Sequence, residues 1–413
     1  MSTNTTALAR ALRGLSLGPA YWHHRRLIRA SKTWTREQVR AYEDGIRAHA
    51  AYRAVAPGVR DRTFYRERAE GLLESLPGLT YACATSGSTG EPLAFHHSRL
   101  AARQKEWAYC HDMWADIGYR PFDTRLYVSG QNQPDLMRFL PQENAWKLPM
   151  QSVTKEYMPE LLRRIRGIGP FYFLTYPSAL ATIIDVMGED EFASLPVRAV
   201  MAASEVFPRG QMARLRNRFG LPLAHWYGHS EWAVLGHYDF EADRYLFYPT
   251  YGLVEFEPLD DGSGECRLIG SRPCRLGTPF IRYDTGDLAR PAAEDGVTTF
   301  TAASSITGRN QEYFIDRDGI KRAFNPYVHS IHDDFWDSVR RLQVRQQQPG
   351  RLRIDVVPGE GFYAARARDV LVDKFREAEI ELEQVPAIPL TASGKHRWFV
   401  QEMTAAELPD TAP

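Results

Sequence analysis

The chain has few cysteines, and their arrangement argues against two kinds of cysteine framework. Its 413 residues contain four, Cys83, Cys110, Cys266 and Cys274, which form neither a CxxC pair nor a disulfide ladder. This usage is typical of reduced thiols in a cytoplasmic protein. A zinc site on Cys266 and Cys274 is the alternative, but their separation is wider than structural zinc sites use. We therefore expect free thiols and no zinc.

The chain also lacks net charge and long apolar runs. Its 51 basic and 51 acidic residues cancel, so no overall field draws it to nucleic acid or to an anionic membrane, and a small-molecule partner is favoured. No apolar run approaches the ~20 residues of a membrane-spanning helix. The first acidic residue is Glu37, so the opening segment is basic. We expect it to form a helix on the main domain rather than a transit peptide, and we expect a cytoplasmic protein.

The length and the hydrophobic pattern predict two domains of mixed α/β structure. Short apolar strands alternate with helical segments from about residue 79 to residue 228, which predicts a sheet covered by helices on both faces. After about residue 240, period-two alternation between Gly and Asp turns indicates a β-rich subdomain. A small α+β unit follows. We place the boundary after residue 309, giving domains 1–309 and 310–413.

The strongest local motif is TSGSTGEP at residues 85–92, which follows a predicted strand. Its two glycines allow a sharp turn whose amide N–H groups form an anion-binding concavity, and its hydroxyl groups add donors for phosphate oxygens. It is not a Walker motif, because GxxxxGK[ST] is absent. The alternative is a solvated surface loop. The predicted phosphate-binding residues are Thr85, Ser86, Gly87, Ser88, Thr89 and Gly90.

Three further motifs carry groups suited to a nucleotide, although each is weak alone. In YGHSE, Tyr227 followed by Gly228 can pack against a flat base, and the Glu231 carboxylate offers oxygen ligands to Mg²⁺. In RYDTGD, Asp287 can accept hydrogen bonds from a ribose diol, the alternative being an ordinary aspartate in a turn. In SGK, Lys395 lies in a flexible turn, where a lysine is usually only a solvated charge.

The segments TSGSTGEP, YGHSE, RYDTGDL, TGR and SGK, in this order, resemble the motifs of the adenylate-forming superfamily of acyl-CoA synthetases, peptide-synthetase adenylation domains and luciferases. Within it the chain is similar to the phenylacetate–CoA ligase and capsule-biosynthesis branch, through TYPSAL (175–180), ASE (203–205) and QVRQ (343–346). The resemblance spans about residues 79–397. It implies a large N-terminal adenylation domain and a small C-terminal domain that rotates between two half-reactions about residues 310–312.

The resemblance also implies a role for each matching residue. Tyr227 would flank the adenine and Asp287 would hold the ribose hydroxyls. Glu231 would support Mg²⁺, and Lys395 would contact both the substrate carboxylate and the α-phosphate, so these two are the candidate catalytic residues. The implied nucleotide-binding residues are Thr85, Ser86, Gly87, Ser88, Thr89, Gly90, Ser204, Glu205, Tyr227, Gly228, Asp287 and Arg309.

The chain departs from the family pattern at several positions. Glu91 stands where the phosphate loop commonly has lysine, and Asp284 stands where many relatives carry arginine. The hinge reads NQE instead of paired acids, and the cysteine-rich zinc segment of some phenylacetate–CoA ligases is absent. A carboxylate beside a triphosphate is unfavourable, so we expect the Glu91 side chain to turn away from the phosphates.

These features predict an enzyme that activates a small carboxylic acid with ATP and then transfers the acyl group. The favoured acceptor is a thiol, of coenzyme A or of a carrier protein. The first alternative is an amine or another nitrogen nucleophile, and the second is a catalytically silent homologue that binds nucleotide. Aromatic and small residues in the segments expected to line the acid pocket favour a flat or modest-sized acid.

Overall fold

The structure is a computed structural model of the full chain. It describes residues 14, 17–55, 58–69, 71–72, 78–85, 93–129, 133–205, 207–259, 264–272, 274, 277–293, 298–309, 313–324, 327–328, 331, 333–390 and 396–404. Within these residues no helix is both long and apolar enough to span a membrane.

The helices form where the sequence supplies apolar periodicity and suitable starts. Thr35 directly precedes the helix Arg36–Arg47. Its hydroxyl oxygen accepts from the Gln38 backbone N–H, and the Gln38 side chain accepts from the Thr35 N–H, so the two residues form a capping box. In chain order the helices are α1 Gly18–Ser31, α2 Arg36–Arg47, α3 Ala50–Val55, α4 Arg62–Arg68, α5 Ala102–Ala115, α6 Met158–Arg166, α7 Pro177–Met187, α8 Glu189–Ala193, α9 Arg209–Phe219, α10 Asp333–Ser338 and α11 Ala364–Lys374.

The strands span the described part of the chain from residue 80 to residue 401. In chain order they are β1 Thr80–Ala84, β2 Ala94–Ser98, β3 Arg125–Ser129, β4 Arg138–Leu140, β5 Ala145–Pro149, β6 Phe171–Thr175, β7 Val197–Ala203, β8 Leu223–Gly228, β9 Leu235–Asp239, β10 Arg244–Phe247, β11 Leu253–Pro258, β12 Cys266–Arg272, β13 Phe280–Pro291, β14 Ala302–Arg309, β15 Tyr313–Ile315, β16 Lys321–Ala323, β17 Val339–Gln348, β18 Arg351–Pro358, β19 Glu379–Gln384 and β20 Phe399–Gln401.

The chain divides into two compact units, Met1–Asp123 with Ala224–Ile306, and Thr124–Leu223 with Thr307–Pro413. We call them unit 1 and unit 2. They differ from the two predicted domains, whose boundary after residue 309 stays a prediction.

Unit 1 contains the β-rich region and a separate hairpin. Strands β11, β12, β13, β14, β10, β9 and β8 lie side by side in that order. Strand β1, which the alternation of strands and helices assigned to the helix-covered sheet, instead pairs antiparallel with β2. The reason is local: β1 and β2 flank the Ser/Gly loop, and a short connection between strands favours a hairpin. A buried cluster beside the hairpin contains Tyr65, Leu93, Phe95, Ala233, Phe280 and Tyr283.

The basic N-terminal segment forms α1 and packs on α5 within unit 1, as the sequence predicts. The buried Asp112 carboxylate anchors it, accepting from Arg25 at 2.7 Å and from Lys32 at 2.8 Å. The Tyr248 hydroxyl donates to the second oxygen of the same carboxylate at 3.0 Å. A buried carboxylate needs such partners, so two of the basic residues of this segment have a structural role.

Unit 2 contains a parallel sheet and a smaller mixed sheet. Strands β7, β6, β3 and β5 are parallel neighbours with β4 antiparallel at the edge. The connections β5–α6–β6, β6–α7–α8–β7 and β7–α9 have the helical crossovers that parallel strands require. In the second sheet, the strand order is β19, β18, β17, β20. Its core includes Trp336, Leu342, Val344, Leu352, Ile354, Leu371 and Phe399. Strands β19 and β20 were not predicted, because β19 alternates with glutamates and β20 has only three residues.

Candidate active site

Thr85 lies at the end of β1 and closes the hairpin around the predicted phosphate loop. Its N–H donates to the Leu93 carbonyl oxygen at 3.1 Å, and its hydroxyl oxygen accepts from Leu93 N–H at 3.0 Å. Residues 86–92, which carry the predicted Ser86, Gly87, Ser88, Thr89 and Gly90 and the unusual Glu91, lie outside the described residues. The structure therefore fixes both ends of this segment in one small region of unit 1.

An arginine that the sequence motifs did not indicate reaches this region. Arg62 begins α4, which Asp61 caps by accepting from Phe64 N–H at 2.8 Å, and the Arg62 guanidinium donates to the Thr85 hydroxyl oxygen. Burial raises the pKa of the Tyr283 hydroxyl, and the positive charge of Arg62 partly opposes this rise. Among the described residues Arg62 has no carboxylate partner, and its buried Nε has no hydrogen-bond partner. A cation with unused donors thus lies beside the loop.

Tyr227 and Asp287 meet, although 60 positions separate them in the sequence. The Tyr227 hydroxyl donates to Asp287 Oδ2 at 2.5 Å. Burial, followed by the charge of Asp287, raises the pKa of Tyr227 well above its ordinary value, so the phenol keeps its proton. The bond joins the YGHSE and RYDTGDL segments and leaves Asp287 Oδ1 on the other side of the carboxylate.

The RYDTGD segment is part of a strand and not the surface turn that was its alternative. It lies inside β13, whose pairing with β12 is shifted by irregularities on either side of Ile269–Gly270. The strand kinks at Gly286, which has φ 77°, a conformation that favours glycine. Asp284 Oδ1 accepts from Gly286 N–H at 2.9 Å, and Thr285 Oγ1 accepts from Asp287 N–H at 3.2 Å. These side chains stabilise the kink that presents Asp287, which gives Asp284 a structural role.

Glu231 is buried and both of its oxygens have protein partners. His229 Nδ1 is 2.9 Å from Glu231 Oε2, and the Tyr283 hydroxyl donates to Glu231 Oε1 at 2.7 Å. Because His229 Nε2 accepts from Val234 N–H at 3.2 Å, the His229 proton lies on Nδ1 and is donated to Glu231. Burial raises the pKa of Glu231, but these hydrogen bonds and His229 outweigh it and lower the pKa to about 2. Glu231 is therefore a carboxylate at neutral pH.

This donor set fits Mg²⁺ with a single protein carboxylate. The Glu231 carboxylate accepts hydrogen bonds from His229, from Tyr283 and from its own backbone N–H, and a carboxylate has about four lone-pair sites, so one remains for a cation. Mg²⁺ in nucleotide sites is typically bound through one or two carboxylates together with substrate phosphates, so a cluster of acidic ligands is not needed. The part of the chain that the structure describes contains no group of three or more candidate metal ligands.

The turn that carries Glu231 is held in a constrained conformation. Trp232 has φ 54°, an uncommon value for a bulky residue, and its indole stacks on the His97 ring with centroids 4.0 Å apart. His97 Nε2 is 3.0 Å from the Ser230 carbonyl oxygen. On the other side the turn packs on the bare backbone of Gly270, where a Cβ would lie 2.5 Å from Val234 Cγ2. Such conformations persist where the surrounding structure determines them, and they concentrate at functional sites.

Next to this turn lies a second polar group that the sequence motifs missed. Lys105 Nζ, on α5, donates to the Tyr251 carbonyl oxygen at 2.6 Å, and the Tyr251 hydroxyl donates to Glu106 Oε2 at 2.6 Å. Burial lowers the pKa of Lys105 to about 7 and raises the pKa of Glu106. Nothing in the local sequence distinguishes these side chains from an ordinary solvated helix face.

The remaining predicted residues belong to unit 2. Ser204 is exposed and has φ 72°, again uncommon outside glycine. Glu205 accepts from both the N–H and the hydroxyl of Ser178. Arg309 ends β14, but its side chain is not described, and Lys395 lies in residues 391–395, outside the described residues. The structure therefore brings Thr85, Tyr227, Glu231 and Asp287 together within unit 1 and leaves the placement of Lys395 and Arg309 as a prediction.

Among the comparisons with known proteins, only the solved structures give matches. No protein-family model and no curated protein sequence matches the chain. Among solved structures, it is similar to 2-hydroxyisobutyryl-CoA ligase in the postadenylation state with an acyl-AMP (16% identity, 97% of this chain and 91% of that chain, TM-score 0.64). It is also similar to the anthranilate CoA ligase AuaEII with anthranoyl-AMP (15%, 76% and 65%, TM-score 0.50). A third match is the amide bond synthetase McbA from Marinactinospora thermotolerans (16%, 77% and 67%, TM-score 0.50). At these identities the likeness shows that the chain has the fold of adenylate-forming ligases.

Proposed function

We propose that the protein activates a small carboxylic acid with ATP and transfers the acyl group to a thiol, of coenzyme A or of a carrier protein. The observation that carries the proposal is that the two nucleotide motifs of unit 1 are joined by two hydrogen bonds. Tyr227 donates to Asp287. Tyr283 lies in the same strand as Asp287 and donates to Glu231. Together these bonds hold the groups proposed for base, ribose and metal as one preorganised set.

The chemistry proceeds in two balanced steps. A carboxylate oxygen attacks the α-phosphorus of ATP, the bond to the bridging oxygen breaks, and pyrophosphate leaves. The acceptor sulfur then attacks the acyl carbon, AMP leaves, and the acceptor's proton goes to solvent. The first step brings anions together, so catalysis depends mainly on positioning and charge neutralisation. In our proposal Arg62 and Lys395 contribute positive charge, and Glu231 would hold Mg²⁺, which would supply further charge neutralisation at the phosphates.

The proposal includes a mobile C-terminal domain of residues 310–413 that presents Lys395, and a cytoplasmic location. For the acid we propose a flat or modest-sized molecule, as in the phenylacetate–CoA ligase branch, because Trp226 and Trp232 directly flank the YGHSE segment (227–231) and are only partly buried. The neighbouring Lys105 and Glu106 add polar groups that favour an acid with a hydrogen-bonding substituent.

A second candidate is transfer to an amine. The chain is 16% identical both to the amide bond synthetase and to 2-hydroxyisobutyryl-CoA ligase. The TM-scores are 0.50 for the former and 0.64 for the latter. Nothing in the described residues separates the two acceptors, because the residues that define the first half-reaction serve both.

The test is acid-dependent exchange of labelled pyrophosphate into ATP across a panel of aromatic, hydroxy and short aliphatic acids. We expect exchange with one class of acid and none without acid or Mg²⁺. Positive acids are then offered coenzyme A, a pantetheinylated carrier protein and an amine panel. Nucleotide binding without exchange for any acid would instead identify a catalytically silent nucleotide-binding protein.

A further inference from the structure

The residue that follows Lys395 is hydrogen-bonded to the start of helix α7. The N–H of His396 donates to the Ser178 hydroxyl oxygen at 3.0 Å, and both residues are about 9% exposed. Ser178 is the second residue of α7 and belongs to the TYPSAL segment. No individual role was assigned to the residues of that segment from the sequence. The bond joins positions 218 apart in the sequence, within unit 2.

The Ser178 hydroxyl is itself oriented by Glu205. Ser178 Oγ donates to Glu205 Oε1 at 2.8 Å, and Ser178 N–H donates to Glu205 Oε2 at 2.9 Å. With its proton directed at the carboxylate, the hydroxyl oxygen presents its lone pairs to His396 N–H. The Glu205 carboxylate thus faces the beginning of α7, where a negative charge is also favoured by the free N–H groups of the helix. This engagement differs from the nucleotide-binding role implied for Glu205 by the sequence.

Two contacts hold the same segment to strand β17. His396 Nε2 donates to the Leu342 carbonyl oxygen at 2.8 Å, and Gln343 Nε2 donates to the Arg397 carbonyl oxygen at 2.8 Å. Gln343 opens the QVRQ segment, so this family-like motif also acts on the residues after Lys395. The backbone at residues 396–397 is therefore fixed by hydrogen bonds to β17 and to Ser178.

We infer that Ser178 and Glu205 are positioning residues for Lys395. They hold the backbone nitrogen of His396, which is bonded directly to the carbonyl carbon of Lys395. The inference rests on the proposed function, in which Lys395 reaches the α-phosphate. It predicts that the pair supports the adenylation step and is not needed for acyl transfer. If the C-terminal domain rotates between the steps, the Ser178–His396 bond is one that must break.

The first experiment needs no substrate acid. An acyl-phosphate derivative of ATP, which acylates lysines near its phosphates, is applied to the wild type and to Ser178→Ala, and labelling of Lys395 is measured by peptide mass spectrometry. We expect ATP to compete with labelling in the wild type, and Ser178→Ala to reduce labelling about fivefold, the effect of one ordinary hydrogen bond. Hydrogen exchange at the His396 amide should rise by a similar factor. Ser178→Thr keeps the hydroxyl and should restore both.

A matched control separates positioning from simple support of the fold. Arg341 Nη2 also joins β17 to α7, donating to Thr182 at 2.7 Å, and it acts on His396 through its charge without a hydrogen bond to it among the described residues. Arg341→Gln should leave Lys395 labelling unchanged. Equal effects of Arg341→Gln and Ser178→Ala, or unchanged labelling in Ser178→Ala, would overturn the inference, as would a wild type in which Lys395 is not labelled.

The second experiment uses the two half-reactions once an acid is known. Ser178→Ala and Glu205→Gln should lower the rate of pyrophosphate exchange about tenfold with little change in the Michaelis constant for ATP, and leave transfer from preformed acyl-adenylate unchanged. Equal losses in both steps would contradict the positioning role. Absence of exchange in the wild type would refute the proposed function, whereas the labelling result judges the Ser178 contact separately.

Discussion

Arg62 offers the sharpest perturbation of the proposed nucleotide site. It donates to Thr85 at one end of the predicted phosphate loop, it acts electrostatically on Tyr283, and it has no carboxylate partner among the described residues. The loop lacks the lysine that relatives commonly carry, since Glu91 stands there. We expect Arg62 to supply the positive charge that a lysine at position 91 would otherwise supply.

The magnitude follows from charge and exposure. Opposite unit charges about 4 Å apart attract by about 4 kcal/mol at an effective dielectric near 20. Arg62 is partly exposed, and salt and water reduce this to about 1–2 kcal/mol. Arg62→Ala should therefore raise the Michaelis constant for ATP by about 5- to 30-fold. Arg62→Lys should lose less, because it keeps the charge but not the planar set of donors.

The assay is pyrophosphate exchange at low and high salt, with thermal unfolding as a check on the fold. Arg68→Ala is the matched control, because Arg68 lies on the same helix, is exposed and rests on the Phe64 ring. Adding Glu91→Lys to Arg62→Ala should restore much of the ATP affinity. An unchanged Michaelis constant in Arg62→Ala, or an equal effect in Arg68→Ala, would refute the reasoning.

Three further predictions concern single half-buried groups. Asp287→Asn should weaken AMP and ATP binding about tenfold or more by calorimetry, since a charge-assisted acceptor is worth roughly 1.5–3 kcal/mol; unchanged affinity would mean that Asp287 serves only Tyr227. Burial lowers the pKa of His237 to about 4 from 6.5. The stability that depends on the neutral imidazole is therefore fully present above pH 6.5 and is lost as the pH falls towards 4. His237→Gln should flatten the acid side of the urea-unfolding profile by up to ~1.4 kcal/mol per pH unit, and an unchanged slope would contradict this. Burial lowers the pKa of Lys105 to about 7 from 10.5, so the unfolded chain binds the extra proton and stability relative to Lys105→Met should rise between pH 7 and 10. A difference that falls over this range would be inconsistent with a buried amine.

The fold was largely predictable because its strands and helices are strongly patterned. The alternation of apolar strands and helices predicted up to residue 228 is present, for example in helix Arg209–Phe219 and the following strand Leu223–Gly228. Hairpin β1–β2 was missed because periodicity identifies strands but does not say which strands pair. Strand β20 was missed because Phe399–Gln401 has only three residues and owes its place to pairing with β17.

The site was predictable where chemistry is concentrated in short motifs. Tyr227, Glu231 and Asp287 could be singled out because their neighbours, glycines and hydroxyl residues, are unusual for an ordinary strand or helix. Their partners Arg62, His229 and Tyr283 carry equal weight in the structure, and yet in the sequence they look like common surface or core residues. Tertiary contacts bring Arg62 to Thr85 and Tyr283 to Glu231, as they bring Ser178 to His396.

The most direct test of the account follows the oxygen atoms of the acid. A substrate acid labelled with ¹⁸O in both carboxylate oxygens is incubated with ATP, Mg²⁺ and the acceptor, and the products are analysed by mass spectrometry. Attack of the carboxylate on the α-phosphorus predicts one ¹⁸O in AMP and none in pyrophosphate. Label in inorganic phosphate with release of ADP, or unlabelled AMP, would contradict the formation of an acyl-adenylate.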